Sequence, residues 1–144
     1  MMTLIQRVSR TDLARNTRRV LRDVQRGRTA LIESHGEPEA ALVDIADYRI
    51  LRAVMRYYAE PPTSDPEAGL SEAAVQALDD LNARYALVFK HYLNGGISLA
   101  RAAELLDMSW LDLRTRCLRL DVPLRTAPQD TAEAASDVAT IEAW

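Results

Sequence analysis

Apolar residues recur along the chain with two different periods, and the changes of period mark its elements. Leu4 to Val8 is a short extended stretch with Ile5 and Val8 as its largest apolar residues, which predicts a first strand. Ser9 and Thr11 then offer N-caps. From Asp12 the positions Leu13, Thr17, Val20, Leu21 and Val24 return at helical spacing, while Arg15, Arg18, Arg19, Arg22 and Arg26 fall on the opposite side. Gly27 predicts the C-cap. Thr29 to Ser34 and Ala40 to Asp44 are apolar runs bracketing His35-Gly36 and Pro38, the pattern of a β-hairpin. A second helix is predicted from Ile45, with Asp47 near its start. Its Tyr48, Leu51, Val54, Met55 and Tyr58 spread over more than one face, so it is expected to bury against more than its own hairpin.

The prolines Pro61, Pro62 and Pro66, with Gly69 and several acids, interrupt this pattern and predict a linker over residues 59–70. Beyond it, Ser71 caps one long predicted helix with the apolar row Ala74, Leu78, Leu81, Tyr85, Val88 and Tyr92, which Gly95-Gly96 stops. Ser98 opens a short helix, Leu99 to Leu106. Asp107-Met108 breaks it, and Ser109 with Asp112 gives a capping-box pattern for Trp110 to Leu120. Two short helices around a tight turn fit a helix-turn-helix. In the final stretch Ala135, Val138, Ile141 and Trp144 repeat at roughly helical spacing among carboxylates. A helix that short is marginal alone in water and is expected to order on a partner.

The expected class is therefore α+β: a β-α-β-β-α module over 1–58, a Pro-rich acidic linker over 59–70, a helical helix-turn-helix module over 71–126 and an acidic partner-binding segment over 127–144. A module of this size buries only about 60% of its unfolded surface, which favours pairing with a second copy.

Charge changes the picture more than composition does. The net charge of −3 averages a basic head, with Arg7, Arg10, Arg15, Arg18, Arg19, Arg22, Arg26 and Arg28, and an acidic end with Asp130, Glu133, Asp137 and Glu142. Opposite ends of opposite sign suggest two different partners. Arg15, Arg18, Arg19 and Arg22 on one helical face, close to Arg7 and Arg10, suit phosphates and guanine edges. The alternative is a solvated face, since the chain uses arginine almost to the exclusion of lysine. In the helix-turn-helix, Thr115, Arg116 and Arg119 are the outward candidates for DNA, with Leu113, Cys117 and Leu120 inward. The alternative there is a structural or dimerising hairpin, because Trp110, Leu111 and Asp112 at the start of the second helix are poor phosphate or guanine ligands.

Catalytic chemistry has little to stand on. The acids are scattered, no nucleophile sits beside a base, and the two histidines, His35 and His91, give no zinc spacing. No cofactor, no metal and no enzymatic activity are expected. The lone Cys117 fits a reducing cytoplasm, and the chain has neither a signal-peptide pattern nor a membrane-length apolar run.

The head resembles the Phd/YefM antitoxin family. The likeness is carried by Ser9, Leu13 and Asn16 in an S-x-x-x-L-x-x-N helix, the exit from Val24 to Gly27, I-x-x-H-G-x-P from Ile32 to Pro38, the A-x-L-V strand and Asp47-Tyr48. Residues 71–144, with ISLARAAELLDMSWLDL, resemble a small family of antitoxin-like prokaryotic helix-turn-helix proteins. The resemblance implies a homodimer that binds its own operator and neutralises a toxin, most often a PIN-type ribonuclease, with its C-terminal part. Ala14 stands where the family often has arginine and Ser34 where a basic residue is common, so operator contacts shift onto Arg7, Arg10, Arg15 and Arg19. With the residue patterns, the resemblance leads to the expectation of a type II antitoxin and autorepressor whose toxin-binding residues are Val138, Ile141 and Trp144. The alternative expectation is a dimeric interaction protein or a transcription regulator without a toxin.

Overall fold

The computed structural model describes residues 5–59 and 72–124, an α+β chain with a three-stranded sheet and seven helices among those residues. It divides into two compact units, up to Tyr48 and from Arg49. This division falls inside a helix, ahead of the proline-rich stretch expected to separate the modules, because Ile50 and Ala53 of that helix are buried in the second unit's core.

In the first unit the strands β1 (Ile5–Ser9), β2 (Thr29–Ser34) and β3 (Glu37–Leu42) lie in the order β1-β2-β3, the first pair parallel and the second antiparallel. Parallel neighbours need a crossover, which α1 (Arg10–Arg15) and α2 (Thr17–Gln25) supply. Alternation along β1 sends Gln6 and Val8 inward and leaves Ile5, Arg7 and Ser9 exposed. Val8, Ala30 and Ile32 of the sheet meet Val20 and Val24 of α2 in a small core, flanked by Leu13 and Leu42.

Two local departures from the predicted pattern occur in this unit. The expected single helix from Asp12 breaks at Asn16, whose φ of −124° and ψ of 37° lie outside helical geometry. Across this break the Thr17 hydroxyl donates to the Leu13 carbonyl at 2.6 Å, so the ends of the two helices stay tied together. In the hairpin both turn residues have positive φ, His35 at 53° and Gly36 at 77°. A two-residue turn of that kind matches the twist of the strands, so β3 starts at Glu37, earlier than the expected Ala40. Pro38 is accommodated because β3 is an edge strand, and a register shift beside Ile32/Glu33 leaves Glu39 as the extra residue.

The second unit holds most of α3 (Ile45–Ala59), then α4 (Glu72–Gln76), α5 (Leu81–Leu93), α6 (Leu99–Leu105) and α7 (Trp110–Arg119). The one long helix expected before Gly95 is two. Asp80 caps α5, its carboxylate accepting from the Asn82 amide at 2.9 Å, and Arg84 donates to the Leu78 carbonyl at 2.9 Å, so the chain turns between α4 and α5. Of the predicted row Tyr85, Val88 and Tyr92 are buried, with Phe89 beside them, whereas Leu81 at the start of α5 is exposed and in α4 Val75 is buried in place of Ala74. Phe89 and Tyr92 pack edge to face at 6.2 Å between centroids, and Ala102 and Ala103 are fully buried, which lets α6 approach its neighbours closely. Ser98 caps α6 through the Arg101 amide, as its sequence position predicts.

Phe89 is inaccessible to solvent, so Phe89→Ala is expected to destabilise the second unit by about 3–5 kcal/mol, read from denaturant midpoints at constant slope. Partial burial and then the charge of Lys90 push the His91 imidazole below its ordinary range. The unfolded chain therefore takes up that proton first, and the stability His91 contributes is present at neutral pH and lost as pH falls from about 6.5 through the lower folded value. An NMR titration is expected to place the His91 midpoint below about 6.5; a midpoint at or above that value contradicts this.

Candidate nucleic-acid interface

The candidate surface is built outward from the packing of α2. Val20 and Val24 are one turn apart and point into the sheet, so the opposite face of the helix points away from it. On that face stand Arg18, Arg19, Arg22 and Arg26, all exposed. Helical spacing puts Arg18, Arg22 and Arg26 on three successive turns with Arg19 beside them, so each has a neighbour three or four residues away. Four guanidiniums so close together repel one another in the free protein and are relieved by a polyanion.

The break at Asn16 changes the predicted grouping. Arg15 belongs to α1 and Arg18, Arg19 and Arg22 to α2, so the four do not share one helical face, although all are exposed. Arg26, the C-cap residue directly after α2, takes the fourth place, on the basic side where the sequence pattern put it. Its signal was its position four residues after Arg22 in the helical period.

Acidic partners sort these arginines further. Arg7 on β1 lies 3.4 Å from Glu33, one strand over on the exposed side of the sheet. Arg10, at the start of α1, donates two hydrogen bonds to the carboxylate of Glu39, at 2.7 and 2.6 Å. That bidentate pair ties the first turn of α1 to the extra residue of β3. Arg19 has a longer contact of 4.0 Å with Asp23, which Arg28 also approaches at 4.0 Å. Among the described residues Arg15, Arg18, Arg22 and Arg26 have no acidic partner. The uncompensated positive charge of the first unit thus lies along α2 and the end of α1, rather than on β1.

In the second unit α6 and α7 flank a four-residue turn in which Asp107 has a φ of 55°. Ser109 caps α7 through the Asp112 amide at 3.0 Å. The predicted box is half formed, because the Asp112 carboxylate accepts instead from Arg116 Nε at 3.2 Å. Leu113 and Cys117 face inward as expected. Arg116 does not point outward: its side chain keeps only 16% exposure and folds along the helix to Asp112. Arg119 is half-buried, and Thr115 is exposed with its hydroxyl donating to the Leu111 carbonyl. What the outer face of α7 does present is Leu111, 61% exposed, and Leu118, 52% exposed, with Arg114 between them and stacked over the Trp110 ring at 5.8 Å. Their spacing of seven residues was the available sign of a second apolar stripe on this helix.

Val138, Ile141 and Trp144 lie outside the described residues, as do Ser71 and nearly all of the predicted linker. No group of three His, Cys, Asp or Glu side chains among the described residues is placed to hold a metal ion, and no helix there is long and apolar enough to cross a membrane. Comparison with protein-family models, with curated proteins and with solved structures finds no match to this chain.

Proposed function

We propose that the protein is a DNA-binding antitoxin that acts also as a repressor of its own operon, without catalytic activity and in the cytoplasm. The observation that carries this reading is the arginine face of α2, where Arg18, Arg22 and Arg26 have no acidic partner among the described residues. A helix on a β-α-α-β-β scaffold that holds such a face in solvent is suited to the phosphate-lined surface of a duplex, with the guanidinium planes available to guanine edges. Arg15 extends the surface from α1, and Arg19 joins it despite its long contact with Asp23. Arg7 and Arg10 contribute after exchanging Glu33 and Glu39 for phosphate.

Pairing of two heads completes the site in this reading. The core of the first unit is small, and Ile5 and Leu21 remain exposed beside it, so a second copy would cover apolar surface and present two arginine faces together. The toxin is assigned to residues 127–144, where Val138, Ile141 and Trp144 supply an apolar row and four carboxylates supply steering charge. A PIN-type ribonuclease is the toxin class that the family resemblance favours.

A second reading is favoured by one observation. Leu111 and Leu118 give α7 an apolar outer face, and its Arg116 is paired along the helix, which suits contact with protein better than with base edges. Under that reading the second unit is an assembly module and the head alone meets DNA.

Gel retardation on the DNA upstream of the gene tests the proposal. The full chain is expected to bind with a steep dependence on salt, and Arg18→Ala with Arg22→Ala to lower the slope of log K against log salt by about 2. Both side chains are exposed, so the same variant is expected to keep its stability within about 0.5 kcal/mol. Retardation unchanged by the double substitution would overturn the assignment of α2.

A further inference from the structure

The Arg10–Glu39 pair of the first unit is bidentate. Arg10 donates from Nε and Nη2 to the two carboxylate oxygens of Glu39, at 2.7 and 2.6 Å, so the whole carboxylate lies against one edge of the guanidinium. Arg7 meets Glu33 at 3.4 Å and Arg19 meets Asp23 at 4.0 Å, both looser pairings. A guanidinium edge that takes two carboxylate oxygens is also the edge that takes two oxygens of a phosphate. The pair is open to solvent, with 68% of the Arg10 side chain and 37% of the Glu39 side chain exposed.

The sheet puts Glu39 there. β3 is an edge strand, and opposite Ile32 and Glu33 it holds Ala40 and Pro38, which leaves Glu39 between them without a partner in the register. Its carboxylate can turn away from Arg10 by side-chain rotation alone. Arg10 stays in place when it does, because it opens α1 directly after Ser9, whose hydroxyl accepts from the Asp12 amide at 3.0 Å.

We propose that Glu39 is an internal competitor of phosphate: in the free chain it occupies the edge of Arg10 that a nucleic-acid backbone takes, and so limits the affinity of the first unit for DNA. Binding removes Glu39 from Arg10 and leaves its carboxylate close to phosphate, where like charges repel. That cost disappears when the carboxylate does, so Glu39 sets both the strength and the salt dependence of binding. The inference rests on reading the first unit as a DNA-binding surface.

The test compares variants of the full chain in gel retardation over a range of salt. Glu39→Gln keeps the size of the side chain and is expected to tighten binding to the upstream duplex several-fold, steepening log K against log salt by about 1. The same gain is expected on a duplex of random sequence, because a phosphate contact carries no sequence information. Glu37→Gln removes the same charge from an exposed position on the same strand and is expected to give a smaller gain at unchanged slope. In an Arg10→Ala background, Glu39→Gln is expected to add no more than Glu37→Gln does. Loss of folding cannot tighten binding, so the gain is not open to that explanation. Glu39→Gln no tighter than Glu37→Gln overturns the inference, as does a gain that survives the loss of Arg10. If Arg18→Ala with Arg22→Ala weakens retardation while Glu39→Gln leaves it unchanged, the competitor role fails and the DNA reading stands; retardation by none of these chains overturns both.

Discussion

The contact of Val20 and Val24 with Val8, Ala30 and Ile32 is the constraint on which the first unit depends. Each fully buried side chain of this kind contributes about 1.5–3 kcal/mol, and in so small a core there are few others. Those two valines fix the rotation of α2 about its axis. Once the rotation is fixed, Arg18, Arg19, Arg22 and Arg26 have nowhere to go but solvent. The basic surface is therefore a consequence of core packing, and a change that rolled α2 would disperse it.

Ion pairing then grades the surface. Arg7 and Arg10 have carboxylates from β2 and β3, while Arg15, Arg18, Arg22 and Arg26, which have no acidic partner among the described residues, retain the full field. The Arg10–Glu39 pair also has a structural role, since it joins the capped start of α1 to the irregular part of the hairpin. In the second unit the acids are used differently. Asp112 turns Arg116 along α7, and the outward side of that helix is left to Leu111 and Leu118. The two units thus offer chemically different faces, one suited to a polyanion and one to apolar surface.

Much of this was legible in the sequence because it is written in local signals. Ser9, Ser98 and Ser109 cap the helices they precede, and His35-Gly36 makes the turn. The basic side of α2 follows from the helical period. What was not legible depends on long-range or competing interactions. Asn16 leaves helical geometry and divides one expected helix into two, which moves Arg15 off the shared face. Asp80 does the equivalent between α4 and α5. Glu39 meets Arg10 from 29 residues away, a pairing that no spacing rule reaches. The division at Tyr48/Arg49 was hidden because α3 runs through it without a break in helical pattern.

The central claim is that the α2 face meets nucleic acid. Hydrogen exchange of the full chain, with and without a duplex of the upstream DNA, tests it most directly because it reports every segment at once. The account predicts added protection over Thr17–Gln25 and Arg10–Arg15, with little change over Trp110–Arg119. Protection confined to α7, or none on α2 at DNA concentrations that saturate binding, would contradict it.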